Sequence, residues 1–299
     1  MKISNVLIVG SHGAFGRGFA ELLAGNDISG ADLGPQTTGG DRYFDLTDPS
    51  DIAAMRAAMI EFDVVVLAVP DEPAIAFIEA HAASLREDAL LVDIASVKTA
   101  VVAAADQHGT CEYLSVHPMF GPKGGDFTGN VATIPVRDGK RLRLFVELLK
   151  SAGATISQMT AAEHDRNTAM VQVVTHFLSL AFGSACQQRG VESGAMARLA
   201  TPVFEDLAEA ASRITRQRPD VYWEIQRHNP YAGEVRGLIR DACRDLAETI
   251  DRGDFAAFER LFEAVRPLKL ESWHAPAKAS EAEFVASDEN RDVDETNSL

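Results

Sequence analysis

His117 stands at the end of a predicted strand, Glu112 to Val116, and is followed at once by Pro118-Met119-Phe120-Gly121-Pro122, whose prolines and glycine turn the chain. In an open α/β sheet, ligands collect just beyond the carboxyl ends of the strands, so this imidazole faces a crevice where it can serve as a base. Ala89 to Lys98 repeats the arrangement, an apolar strand with Ser96 and Lys98 at its exit. Ser96 reads in two ways: a hydrogen-bond partner for His117 or a substrate hydroxyl, or the N-cap of a helix starting near Thr99. Lys98, at the same exit, is a candidate for contact with substrate.

A second group of residues suits a dinucleotide. Val6-Leu7-Ile8-Val9 runs into Gly10-Ser11-His12-Gly13-Ala14-Phe15-Gly16 and then into a helical pattern, Arg17 to Leu23. Such a turn offers backbone N–H groups and a helix N-terminus to a pyrophosphate. Ser11 occupies a position where the usual fingerprint has glycine, so the spacing is Gly-x-x-Gly-x-x-Gly. Asp32, at the end of the second predicted strand, can accept hydrogen bonds from ribose hydroxyls and repel a 2′-phosphate, which favours NAD over NADP. Thr37, Thr38 and Arg42 follow in a loop with room for a phosphate. Val69 and Pro70, at the end of a later strand, should border the nicotinamide.

Further along, Asp165, Gln172 and His176 are spaced by 7 and 4 residues, which places them on one narrow stripe of an ideal helix. Buried polar groups need partners, so this stripe either faces a ligand or cross-links neighbouring helices. Arg213, on the next helix, is a surface charge or the anchor of a ligand carboxylate.

The elements that must position these groups fall into two kinds. Up to residue 158, strands at Val6 to Val9, Ile28 to Ala31, Val64 to Val69, Leu90 to Ile94, Tyr113 to Val116, Val131 to Val136 and Ala154 to Gln158 alternate with helical patterns. This is the signature of an α/β, doubly wound, mainly parallel sheet of Rossmann type, assigned to residues 1–158. Asp48 as N-cap and Pro49 at the first position mark one of its helices. From 159 to 270 the strand signal vanishes, and helical patterns near 160 to 189, 201 to 217, 231 to 251 and 254 to 266 predict an all-α domain. Its first helix is apolar on several faces, so it should be buried by other helices or by a second subunit, and a homodimer is expected. Residues 271–299 carry eight acidic residues and little periodicity, and read as a solvated tail.

The composition excludes several classes. A chain of 299 residues with 46% hydrophobic and 24% charged residues is an ordinary globular protein, and its net charge of −16 argues against nucleic acid or anionic membranes as partners. Cys111, Cys186 and Cys243 have neither disulfide nor zinc spacing, so no metal is expected. The N-terminus lacks a signal-peptide pattern, no apolar stretch reads as a membrane span, and a cytoplasmic location is expected.

Taken together, the glycine turn, Val92-Asp93-Ile94-Ala95-Ser96-Val97-Lys98, His117-Pro118-Met119-Phe120-Gly121-Pro122, Glu163-His164-Asp165-Arg166-Asn167 and Arg213 ahead of Pro219-Asp220 resemble the prephenate dehydrogenase family, over residues 5 to 267. The resemblance implies that His117 is the catalytic base, Ser96 its hydrogen-bonding partner and Arg213 the carboxylate anchor, with Gln172 and His176 lining the substrate pocket. It implies hydride transfer from ring C4 of prephenate to NAD with loss of CO2, driven by aromatisation. Neither a fused chorismate mutase bundle nor a regulatory domain is read from the sequence. Relatives acting on 4-amino-4-deoxyprephenate keep a second substrate open. A β-hydroxyacid dehydrogenase is disfavoured because the long helix presents Gln172 and His176 where that class uses a lysine. A non-catalytic NAD(H) sensor would leave His117, Ser96 and Arg213 together without a purpose.

Overall fold

A computed structural model describes residues 2–36, 42–188 and 193–266; Thr37, Thr38 and the acidic stretch 271–299 lie outside them. Eight strands form one sheet: β1 (Asn5–Val9), β2 (Asp27–Asp32), β3 (Arg42–Asp45), β4 (Val64–Leu67), β5 (Leu90–Asp93), β6 (Glu112–Pro118), β7 (Gly129–Arg137) and β8 (Ala154–Gln158). Their order is β3-β2-β1-β4-β5-β6-β7-β8, parallel throughout except for the antiparallel pair β6 and β7. The mainly parallel expectation therefore holds, with one strand the sequence reading missed. β3 is short and begins and ends in charged residues, so it carries almost no apolar run to betray it.

The helices of this part are α1 (Ala14–Leu22), α2 (Pro49–Ala58), α3 (Asp71–His81), α4 (Thr99–His108) and α5 (Lys140–Ser151). They cover both faces, as the apolar content of the strands requires: β4 and β5 are buried at every position. One core layer holds Leu7, Val65, Leu91, Phe77, Ile78 and Tyr113, and the opposite layer Ile8, Val66, Val92, Phe19, Phe127 and Phe145. The predicted cap at α2 is present, with Asp48 accepting from the Ser50 amide at 2.8 Å and Pro49 at the first helical position.

After β8 the chain is helical: α6 (Ala161–Thr168), a π-helical segment (Ala169–Val174), α7 (Thr175–Gln188), α8 (Ser193–Leu199), α9 (Pro202–Thr215), α10 (Pro219–His228), α11 (Ala232–Asp251) and α12 (Phe255–Val265). Thr160 and Glu163 form a reciprocal capping box at the start of α6. The run Ala161–Gln188 is long and apolar enough to cross a membrane, with a mean hydropathy of 1.5 in its most apolar window, which corrects the expectation that no segment passes that test. Met170, Val171, Leu178 and Leu180 on this run are exposed, while Ala169, Val173 and Val174 pack on Ile225 and Val235. The chain divides into two compact units, Met1–Ile239 and Arg240–Leu299, and the site described below lies wholly within the first.

Candidate functional site

The site begins at the carboxyl edge of the sheet, where the strands stop and their exits are tied together by buried charge. Asp93, the last residue of β5, accepts from the Ala95 amide (2.9 Å), from Lys98 Nζ (3.1 Å) and from the Tyr113 hydroxyl (2.5 Å). Lys98 Nζ also donates to the Val116 carbonyl at 2.8 Å. Asp93 and Lys98 are both 0% exposed. Lys98 therefore departs from the expectation of substrate contact: with no accessible surface and its ammonium committed to Asp93 and Val116, it fastens the exit of β5 to the end of β6. Asp71, at the start of α3, accepts from the amides of Ser96 (2.9 Å) and Val97 (3.2 Å). Burial raises the Asp71 pKa from its ordinary value.

His117, next to last in β6, is 5% exposed. Its Nδ1 lies 2.9 Å from Nε2 of His164 on α6. His164 Nδ1 in turn lies 2.8 Å from Asp165 Oδ1. Asp165 is fully buried and also accepts from the Lys98 amide (2.9 Å), the Thr99 amide (2.9 Å) and the Thr99 hydroxyl (2.5 Å). The carboxylate thus caps α4 while holding His164. Asn229 anchors the same turn of α6 by donating to the Asp165 carbonyl at 2.8 Å.

Burial, then the nearby Lys98 and His164, push the His117 imidazole well below its ordinary pKa. His164 is also lowered, chiefly by burial, against the opposing pull of Asp165. For Asp165 burial alone would raise the carboxyl, but the hydrogen bonds from His164, Thr99 and Lys98 outweigh it and the net shift is downward. The result is a neutral imidazole beside a firm carboxylate, the state in which His117 can take a proton. Among the described residues His164, at Nδ1, is the hydrogen-bond partner of the ring, which leaves Nε2 available to a ligand.

The partner of His117 is not the one expected. Among the described residues Ser96 forms no hydrogen bond with it; Ser96 is half-buried on the same edge, held through its amide by Asp71. Asp165, expected on a stripe with Gln172 and His176, instead cross-links α6 to α4. The π-helical segment Ala169–Val174 inserts a wider turn between Asp165 and His176, so spacing computed for an ideal helix does not carry across it. Gln172 Oε1 and His176 Nδ1 are buried without partners. Burial lowers the His176 pKa to about 4, and its ring packs edge-on against Tyr222 at 4.7 Å. Arg213 on α9 is 75% exposed and meets Glu209 one turn back at 3.6 Å; no contact brings it to His117 among the described residues. The sequence reading missed His164 as a partner, although the adjacent histidine and aspartate in Glu163-His164-Asp165 were in view.

At the first strand the glycine turn has the form a pyrophosphate needs. Gly10 has φ +83°, and a Cβ there would strike the Ala68 carbonyl; one at Gly16 would strike the Gly10 carbonyl. α1 starts at Ala14 with no side chain capping it, so Gly13, Ala14 and Phe15 open onto a free helix N-terminus. Asp32 sits against this loop, accepting from the His12 amide (2.7 Å) and the Leu33 amide (2.8 Å). Ser11 Oγ and His12 Nε2 are buried without partners beside it, and the His12 ring stacks on Tyr43 at 5.2 Å. Val69 abuts Gly10, and Pro70 precedes α3. A cradle that side chains would fill, with unpaired polar atoms at its wall, fits a dinucleotide.

Comparison with known proteins decides the family. The nucleotide-binding domain of prephenate dehydrogenase matches residues 23–133 and its dimerization domain residues 160–264. The chain is 33% identical over 270 residues to a 4-amino-4-deoxyprephenate dehydrogenase of Streptomyces pristinaespiralis, covering 87% of this chain and 89% of that one. The chain belongs to the prephenate dehydrogenase family. It is thus a member of a family of NAD-dependent oxidoreductases. It is also 27% identical to a probable arogenate/prephenate dehydrogenase of Methanocaldococcus jannaschii, covering 76% of this chain and 52% of that one. The fold is shared with prephenate dehydrogenase from Aquifex aeolicus, solved with hydroxyphenyl propionate and NAD+: TM-score 0.65, 22% identity, 91% of this chain and 98% of that one.

Proposed function

We propose that this prephenate dehydrogenase family member oxidatively decarboxylates prephenate to 4-hydroxyphenylpyruvate, with NAD as the oxidant. The observation that carries the reading is His117: a buried, neutral imidazole at the end of β6 whose Nδ1 is held and whose Nε2 is left for a ligand. NAD, when bound, accepts the C4 hydrogen as hydride. Gly10, Ser11, Gly13, Ala14, Phe15 and Gly16 would hold its pyrophosphate, Asp32 its adenosine ribose, and Val69 and Pro70 would border the nicotinamide. His117 takes the C4 hydroxyl proton, the C4 oxygen becomes a ketone, and the bond to the ring carboxylate then breaks. Its electrons pass through the ring to that oxygen, CO2 leaves, and the proton held on His117 returns to the phenolate. Aromatisation drives the decarboxylation, so one base and good orientation suffice.

In this reading Ser96 contacts the C4 substituent, Gln172 and His176 line the ring pocket, and Arg213 binds a substrate carboxylate. The domains divide near residue 158, and two chains associate through the helical part in a homodimer that would cover Met170, Val171, Leu178 and Leu180. A cytoplasmic location accompanies this reading.

A second substrate is favoured by one observation, the 33% identity over most of both chains to an enzyme named for 4-amino-4-deoxyprephenate. There the C4 amine replaces the hydroxyl and His117 accepts its proton. Turnover of the two substrates measured side by side, by NADH absorbance, separates the readings. Higher kcat/KM on prephenate supports the first, and the reverse order replaces it with the second.

A further inference from the structure

We propose that His164 and Asp165 are positioning residues that fix the tautomer of His117, holding Nδ1 protonated and leaving the lone pair on Nε2. This deepens the reading of His117 as the base and rests on it. Asp165 has no solvent access and receives donors from the Lys98 amide, the Thr99 amide and the Thr99 hydroxyl. A carboxylate so placed can only accept, so the His164 Nδ1 lying 2.8 Å from it must carry hydrogen. His164 is neutral, which leaves the lone pair on its Nε2. That atom is 2.9 Å from His117 Nδ1. Were His117 to carry its hydrogen on Nε2 instead, two lone pairs would face each other across 2.9 Å in a buried site, leaving both unsatisfied. The charges around the pair act in the same direction. Lys98 ends β5's exit loop as a buried cation, its charge partly offset by Asp93, and disfavours protonation of both rings.

Three separate elements supply this chain: β6 the base, α6 the relay and its carboxylate, and the start of α4 the donors that orient the carboxylate. The same chain stabilises the imidazolium that forms when Nε2 takes the substrate proton, since positive charge on His117 is then bonded through His164 toward Asp165. His164 touches neither substrate nor cofactor in this account; it acts through His117.

The test uses the full-length protein labelled with 15N-histidine, with His117 assigned by its loss in His117→Asn. In the wild type, Nε2 of His117 should resonate as an unprotonated ring nitrogen and Nδ1 as a protonated one. His164→Phe removes the acceptor and should shift the population toward Nε2–H, with kcat falling roughly 10²-fold or more while substrate KM changes by less than about threefold. His164→Gln puts an amide oxygen near the place of Nε2, and should keep the wild-type pattern and recover most of kcat. A wild-type His117 protonated on Nε2 overturns the proposal, as does a His164→Phe protein with an unchanged tautomer and kcat. If His164→Phe does not fold, the wild-type spectrum and His164→Gln decide. Should neither cyclohexadienyl substrate be turned over, the function proposed above fails, while the spectrum still reports the tautomer.

Discussion

At the scale of single residues, the proposed chemistry rests on His117. His117→Asn should keep the fold and cofactor affinity and lower kcat roughly 10²-fold or more, the usual contribution of a positioned base; near-normal turnover removes it from the mechanism. Because its pKa is pushed well below the ordinary imidazole value of about 6.5, the base stays unprotonated into acid. The kcat/KM profile should therefore remain flat as pH falls through 6.5 and drop only at lower pH, whereas a midpoint near 6.5 would mean an ordinary exposed histidine. Arg213 is a different case. Its partner among the described residues, Glu209, forms an exposed pair with it one turn away, a geometry that contributes about 0.3–0.5 kcal/mol. Arg213→Ala should leave stability nearly unchanged yet raise substrate KM, with roughly a 10- to 150-fold loss in kcat/KM if it holds a carboxylate. Unchanged kinetics would make it a surface charge. The strand exit followed by Pro and Gly marks His117 in the sequence as a candidate base. Its partner His164 is not marked, because hydrogen bonding across 47 positions leaves no trace on local spacing.

At the scale of elements, the sequence announces what is periodic and hides what is tertiary. The alternating strands and the α2 cap follow from local chemistry and stand as expected, while the capping box at α6, equally local, is a finding of the structure. A lysine at a strand exit suggests a ligand contact, and only the packed sheet reveals that Asp93 and the Val116 carbonyl hold the Lys98 ammonium while the Tyr113 hydroxyl bonds Asp93. The π-helical segment likewise defeats a stripe drawn at ideal helical spacing. Lys98→Met should destabilise the fold by about 3–5 kcal/mol, because it strands Asp93 without its counter-charge. It should also move the acid limb of any remaining activity to higher pH, since the cation that disfavours protonation of His117 and His164 is gone. Chemical denaturation checks the first effect, and a loss below about 1 kcal/mol would show that Asp93 is satisfied without the lysine.

At the scale of the whole molecule, buried histidines set the response to acid. His81, His117, His164 and His176 all have lowered pKa values, with His176 at about 4. The unfolded chain takes up protons at these positions below about 6.5 while the folded chain does not, so stability should fall as pH drops from 6.5 toward 4. Asp71 and Glu224, whose raised pKa values favour proton uptake in the folded state, oppose this in part. Thermal melting across that range checks it; a Tm rising on acidification would contradict the assignment.

In the proposed function, hydride removal and loss of the ring carboxylate belong to one reaction. Its most direct measurement is to mix the protein with NAD and either prephenate or its 4-amino analogue, following NADH absorbance and released CO2 together. Equal amounts of NADH and CO2, with both formed roughly 10²-fold or more slowly by His117→Asn, are the predicted result; no NADH from either substrate, or NADH without CO2, would contradict it.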